Sequence, residues 1–153
     1  MANTYTQMYV QIIFAVQNRE NLIHETHREE IEKYICGIIS NHKSKPLAIY
    51  CNPDHLHVLI GLHPTVAVSD LTRDIKASSS KFINEKKWLR GKFNWQEGFG
   101  AFTYAKSQID AVVNYIHNQP IHHQNQTFKT EYLTALKNFE IEYDEKYVFD
   151  WLE

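Results

Sequence analysis

The stretch Pro53-Asp54-His55-Leu56-His57-Val58-Leu59-Ile60 limits the possible folds of this chain more than any other. Pro53 and Asp54 mark a turn, and the apolar run after them reads as a buried strand. Strand side chains alternate, so His55 and His57 share one face while Leu56, Val58 and Ile60 share the other. At a rise of ~3.3 Å per residue the two histidine Cα atoms stand ~6.6 Å apart, close enough for both imidazoles to hold one divalent ion. The plainer reading, two partly exposed histidines among nine, is open from this stretch alone.

The segments around it supply a topology. Thr4 to Val16 is a strand, with Tyr9, Gln11, Ile13 and Ala15 on one face and Val10, Ile12, Phe14 and Val16 on the other. Thr26 with Glu29 three residues on predicts a capped helix to about His42. Leu47–Cys51 and His55–Leu62 form a hairpin around Pro53-Asp54. Ser69 opens a second helix, and the Gly-aromatic loop from Trp95 leads into a strand at Ala101–Lys106. Ser107 with Asp110 predicts a capping box for a third helix ending near Pro120, and a short helix over Lys129–Asn138 follows. The order β-α-β-β-α-β-α is that of an α+β, ferredoxin-like (RRM-like) split βαβ: a four-stranded antiparallel sheet with helices packed on one face. The first and third strands are then central neighbours, which puts His55 and His57 in mid-sheet.

With 153 residues, 43% of them hydrophobic, the chain reads as one domain over 1–153 with a short acidic tail from about residue 139. No run approaches the ~18 apolar residues of a membrane span, and Cys36 and Cys51 do not make a disulfide framework, so a cytoplasmic setting is expected. The net charge of −2 hides an asymmetry. From Arg73 to Lys92 seven basic residues face two acids, whereas from Glu131 to Glu153 seven acids face two lysines. Arg73, Lys76 and Lys87, with Lys81 nearby, form a basic ridge on the second helix, suited to a polyanion backbone. A solvated helix face fits the same charges.

The third helix carries Tyr115 and Gln119 four residues apart, hence on one face. A hydroxyl nucleophile and an amide ligand, one turn apart and near two histidines, make a coherent phosphodiester-transfer site. Pro120 predicts that Gln119 lies in a frayed last turn. His122 and His123 could add a ligand but read better as a polar loop after the helix. Trp95, Phe99 and Phe102 are either base-stacking or core residues, and Cys51 lacks a partner that would activate it.

Taken together, strand 53–60, the loop Trp95-Gln96-Glu97-Gly98-Phe99-Gly100-Ala101-Phe102 and the helix Tyr115-Ile116-His117-Asn118-Gln119-Pro120-Ile121-His122-His123 resemble the single-tyrosine HUH transposases. These are the TnpA-type enzymes of the smallest bacterial insertion sequences and their palindrome-associated relatives. The resemblance runs from about Tyr5 to Leu136. It implies that His55 and His57 bind Mg²⁺ or Mn²⁺ with Gln119 as third ligand, and that Tyr115 attacks single-stranded DNA to give a 5′-phosphotyrosine. It also implies hairpin-bearing DNA as partner, and a homodimer in which Tyr115 acts in trans, completing the His55/His57 site of the other subunit. Many relatives carry a lysine near the end of the first strand, where this chain has Gln17, Asn18 and then Arg19.

Three rival readings compete. A histidine-triad hydrolase needs a third histidine where this chain has Leu59, which excludes it. A non-catalytic ferredoxin-like nucleic-acid-binding module expects an RNP-like Lys/Arg-Gly-Phe segment, and the chain offers none. A domesticated transposase relative that binds DNA without moving any element is the remaining alternative.

Overall fold

The computed structural model describes residues 3–123 and 127–141. Its elements are β1 (Tyr9–Ala15), α1 (Glu25–Asn41), β2 (Lys45–Cys51), β3 (His55–Gly61), α2 (Val68–Lys86), β4 (Gly100–Tyr104), α3 (Ile109–His117), α4 (Gln119–His122) and α5 (Phe128–Asn138). The four strands form one antiparallel sheet in the order β2-β3-β1-β4. β3 and β1 are therefore the central pair, with Ile13 opposite His57 and Ala15 opposite His55.

Alternation along the central strands builds two different faces. Val10, Ile12 and Phe14 of β1 join Leu56, Val58 and Ile60 of β3 beneath α1 and α2, which contribute Ile31, Ile35, Ile39, Leu71 and Ile75. This is the main core, and each fully buried aliphatic side chain in it is worth ~1.5–3 kcal/mol. The packing of α1 and α2 on one face is the arrangement that the split βαβ order predicts.

The opposite face carries Gln11, Ile13, Ala15, His55, His57 and Leu59, and the chain returns over it after β4. Val112 and Ile116 of α3 pack on Leu59 and Ala48. Phe128, Tyr132 and Leu136 of α5 pack on Ile13, Ala15 and Phe102. Gly100 admits this contact, because a Cβ there would stand 2.7 Å from the Tyr132 ring. Trp95 and Phe102 are core residues, and Phe99 is partly exposed.

Local signals differ from expectation at three points. The α1 cap is His24, whose Nδ1 accepts from Thr26 N at 3.1 Å, rather than a Thr26–Glu29 box. Before α3, the Gln108 side chain accepts from Ala105 N at 2.8 Å across a 3-10 turn, so Ser107 caps nothing. Pro120 does not fray Gln119: α3 stops at His117, and Gln119 and Pro120 open a new short helix, where a missing N–H costs nothing. The acidic tail beyond Ile141 lies outside the described residues.

Candidate active site

The buried polar side chains on the second sheet face, Gln11, His55 and His57, are all hydrogen-bonded, as burial requires. His55, His57, Gln11, Asn52, Gln119 and Glu131 are all buried. The tight turn through Pro53 and Asp54 is closed by Asn52 N donating to His55 O at 2.8 Å. That turn sets Asp54 against its neighbour, and Asp54 Oδ1 lies 2.6 Å from His55 Nδ1. One position along, Gln11 of β1 lies beside His57. Gln11 Nε2 donates to the Tyr104 hydroxyl at 2.7 Å, which turns Gln11 Oε1 toward His57 Nδ1, also at 2.7 Å.

Both rings thus hold their Nδ1 protons against acceptors and present Nε2 to the interior. Glu131 Oε1 waits there, 3.0 Å from His57 Nε2, 3.6 Å from His55 Nε2 and 3.2 Å from His123 Nε2. Gln119 joins from α4: its Oε1 accepts from Asn52 Nδ2 at 3.1 Å and lies 2.9 Å from His123 Nε2, and its Nε2 donates to Glu131 Oε2 at 3.1 Å. The Tyr115 hydroxyl donates to the same Glu131 oxygen. Phe128 stacks on the His55 ring, 3.9 Å between centroids.

This donor set fits a divalent cation. His55, His57, His123 and Glu131 bring one ligand atom each within 4.8 Å of one another. With Nδ1 protonated, His57 Nε2 offers a lone pair to a carboxylate oxygen, and two acceptors at that distance repel unless a metal ion or a proton lies between them. Imidazole and carboxylate ligands with an amide oxygen alongside suit a first-row or alkaline-earth dication. The protonation preferences agree. Burial works against charge on both histidines. It wins at His57, lowering its pKa, whereas at His55 the hydrogen bonds to Asp54 and Glu131 outweigh it and raise the pKa. Burial likewise opposes the Glu131 charge, but the bonds from His55 and His57 prevail and hold its carboxyl down at about 2.

The structure therefore gathers His55, His57, Tyr115 and Gln119, the four residues expected from sequence, and adds two more. His123, which reads as loop in the sequence, belongs to the cluster because α4 turns it inward. Glu131, counted in the sequence among the seven acids of residues 131–153, is buried in α5. One signal for it was present: Phe128, Tyr132 and Leu136 recur at four-residue spacing, and Glu131 falls on that apolar stripe. The basic ridge lies elsewhere. Arg73, Lys81 and Lys87 are exposed on α2 or just after it. Lys76 instead turns inward, donating to Gln96 O at 2.8 Å and Gly98 O at 2.5 Å, and burial lowers its pKa to about 8. Cys51 is buried, and burial pushes its thiol up, away from the nucleophilic form.

A central-strand histidine pair facing a helix-borne tyrosine across a split βαβ sheet defines an HUH-type phosphodiester-transfer enzyme. The family model "Transposase IS200 like" matches residues 4–119, and the chain belongs to that family. Glu131 and α5 lie beyond the matched residues. No curated protein sequence matches the chain. Among solved structures, a candidate transposase of Deinococcus radiodurans superposes with a TM-score of 0.60 at 18% identity, covering 78% of this chain and 95% of that one. A REP-associated tyrosine transposase bound to a REP hairpin superposes with a TM-score of 0.62 at 17% identity, covering 100% of this chain and 93% of that one. At these identities the likeness is one of fold. The chain is an enzyme of the DNA-transposase class with a cluster able to coordinate a divalent metal.

Proposed function

We propose that this protein cleaves and rejoins single-stranded DNA by transesterification, with Tyr115 as nucleophile. The observation that carries the reading is the shared carboxylate: Glu131 receives the Tyr115 hydroxyl on one oxygen and stands among three histidines with the other. The proposed nucleophile and the candidate ligand atoms thereby share one cluster, buried at His55, His57 and Glu131 and half-buried at Tyr115 and His123. His55 and His57, with Gln119, His123 and Glu131, would hold the ion, and the proposed ion is Mg²⁺ or Mn²⁺. When bound, it would offset charge on the non-bridging oxygens of the scissile phosphate and orient that group.

The chain's own residues account for the rest. Tyr115 Oη bonds to phosphorus and loses its proton. The bond from phosphorus to the 3′-oxygen breaks, and that oxygen takes up a proton as a free 3′-OH. Because the 5′-phosphotyrosine conserves the phosphodiester, a second 3′-OH can reverse the step without ATP. Asp54 and Gln11 keep the two imidazoles oriented throughout. Exposed Arg73, Lys81 and Lys87 are proposed to track the phosphate backbone, with Lys76 shaping the loop beside them.

The proposed substrate is hairpin-bearing single-stranded DNA, a reading supported by the hairpin in the REP-associated relative. The family resemblance favours a homodimer with Tyr115 acting in trans. The placement of Tyr115 beside its own chain's His57, with ring centroids 6.0 Å apart, favours action within one chain. Unpaired Cys36 and Cys51 suit the reducing cytoplasm. The reading is tested by incubating the protein with hairpin DNA and Mn²⁺ and resolving a covalent adduct on a denaturing gel. An adduct that forms with Mn²⁺ and is lost with a chelator is expected. The absence of adduct with every hairpin tried, by protein shown to bind Mn²⁺, contradicts it.

A further inference from the structure

Beside the metal cluster the space between α3 and α5 is open. A cavity of about 560 Å³ starts at His57, Tyr115 and Glu131 and runs outward past Tyr104 to Phe139. That volume lies within the ~300–1,000 Å³ typical of small-ligand sites. It persists because the helices present small residues to it, Ala111 from α3 and Ala135 from α5. Three amide side chains, Gln11, Gln108 and Asn138, lie at its walls, and among the described residues no lysine or arginine lines it.

These features select the occupant. A cavity whose described lining carries no lysine or arginine is a poor place for a phosphate, which argues against backbone tracking here. Aromatic walls with amide groups suit a flat π-system with a polar edge, the chemistry of an unstacked nucleobase. Its inner end is the nucleophile itself, so its occupant must be covalently close to the scissile phosphate.

Resting on the transposase reading, we propose that this cavity is a base subsite, taking the nucleobase immediately 3′ of the scissile phosphate. Stereochemistry picks that side. In-line attack places the leaving 3′-oxygen opposite Tyr115, so the nucleotide 5′ of the break extends away from the cavity. The nucleotide joined through its 5′-oxygen stays on the flank of the phosphate. It is also the one that remains tethered to Tyr115 in the covalent intermediate. The subsite would hold that end in register until the second strand arrives, and would make cleavage depend on one base.

The test uses the full chain with Mn²⁺ and oligonucleotides whose cleavage position has been mapped from the adduct. An abasic residue is placed first 3′ and then 5′ of the scissile phosphate. Losing the 3′ base should raise KM roughly tenfold or more, the scale of one lost base stack, and losing the 5′ base should change it far less. Ala135→Leu, which fills the cavity, should impose the same rise on intact DNA, show no further loss with the abasic strand, and bind Mn²⁺ as the parent does. Ala111→Leu fills the cavity from the other wall and serves if Ala135→Leu does not fold. An unchanged KM on removal of the 3′ base, or a larger effect on the 5′ side, overturns the subsite while leaving the transposase reading intact. A failure to form any adduct overturns both.

Discussion

Glu131 Oε1 lies 3.0 Å from His57 Nε2, joining residues 74 positions apart in the chain. Because the other ring nitrogen of His57 is committed to Gln11, this contact requires a proton or a metal ion between Nε2 and the carboxylate.

Replacing Glu131 should therefore separate metal binding from folding. Glu131→Gln keeps the shape and removes the charge, and isothermal titration should show Mn²⁺ affinity reduced by roughly tenfold or more. The same carboxyl makes the metal-free fold acid-sensitive. Its folded pKa of about 2 lies below the ordinary value near ~4.3, so its contribution is fully present above the unfolded value and is lost as pH falls toward 2. The shift corresponds to at most about 3 kcal/mol. Urea unfolding of the chelated protein should lose stability between about pH 4.3 and pH 2, and Glu131→Gln should flatten that dependence.

Gln11 should act through His57 alone. Gln11→Met removes the acceptor at Nδ1 and should weaken Mn²⁺ binding by ~10–100-fold. Gln11→Glu restores an acceptor and should recover most of the affinity. Equal loss in both variants would show that bulk at this position matters and not the hydrogen bond.

Much of this site can be read from the sequence, and the reason lies in periodicity. His55 and His57 are two apart on a strand, and Tyr115 and Gln119 are one helical turn apart, so each pair is placed by local geometry. The alternation of β1 likewise put Gln11 on the histidine face. Glu131 escaped because nothing local links it to His57; the contact exists only once α5 folds back over the sheet. Glu131 is also one of seven acids, against two lysines, between residues 131 and 153, and that charge masked its burial. His123 escaped for a related reason, since Pro120 looks like a helix stop but starts a second helix. Lys76 differs in the opposite way. Helical spacing placed it on the basic ridge, and two loop carbonyls withdrew it.

That difference predicts distinct salt responses. Alanine at Arg73, Lys81 or Lys87 should each reduce the slope of log affinity against log salt by ~0.7–0.9 if the residue contacts one phosphate. Lys76→Met should leave the slope nearly unchanged, because its ammonium serves the 94–99 loop. A slope change at Lys76 matching that at Arg73 would contradict this assignment.

Mixing of variants decides which chain supplies the nucleophile. If Tyr115 acts within its own chain, Tyr115→Phe and His55→Ala proteins should stay inactive when combined under conditions that exchange subunits. Recovered adduct in the mixture would establish the shared site that the family resemblance implies.

Whether Tyr115 is the nucleophile is tested most directly by the identity of the residue bonded to DNA. The adduct formed with Mn²⁺ and hairpin DNA should be digested and the nucleotide-bearing peptide sequenced by mass spectrometry. A single modified residue, Tyr115, is expected, and no adduct from Tyr115→Phe although that variant binds the same DNA with parental affinity. A modified residue elsewhere, or cleavage by Tyr115→Phe at the parental rate, would contradict it.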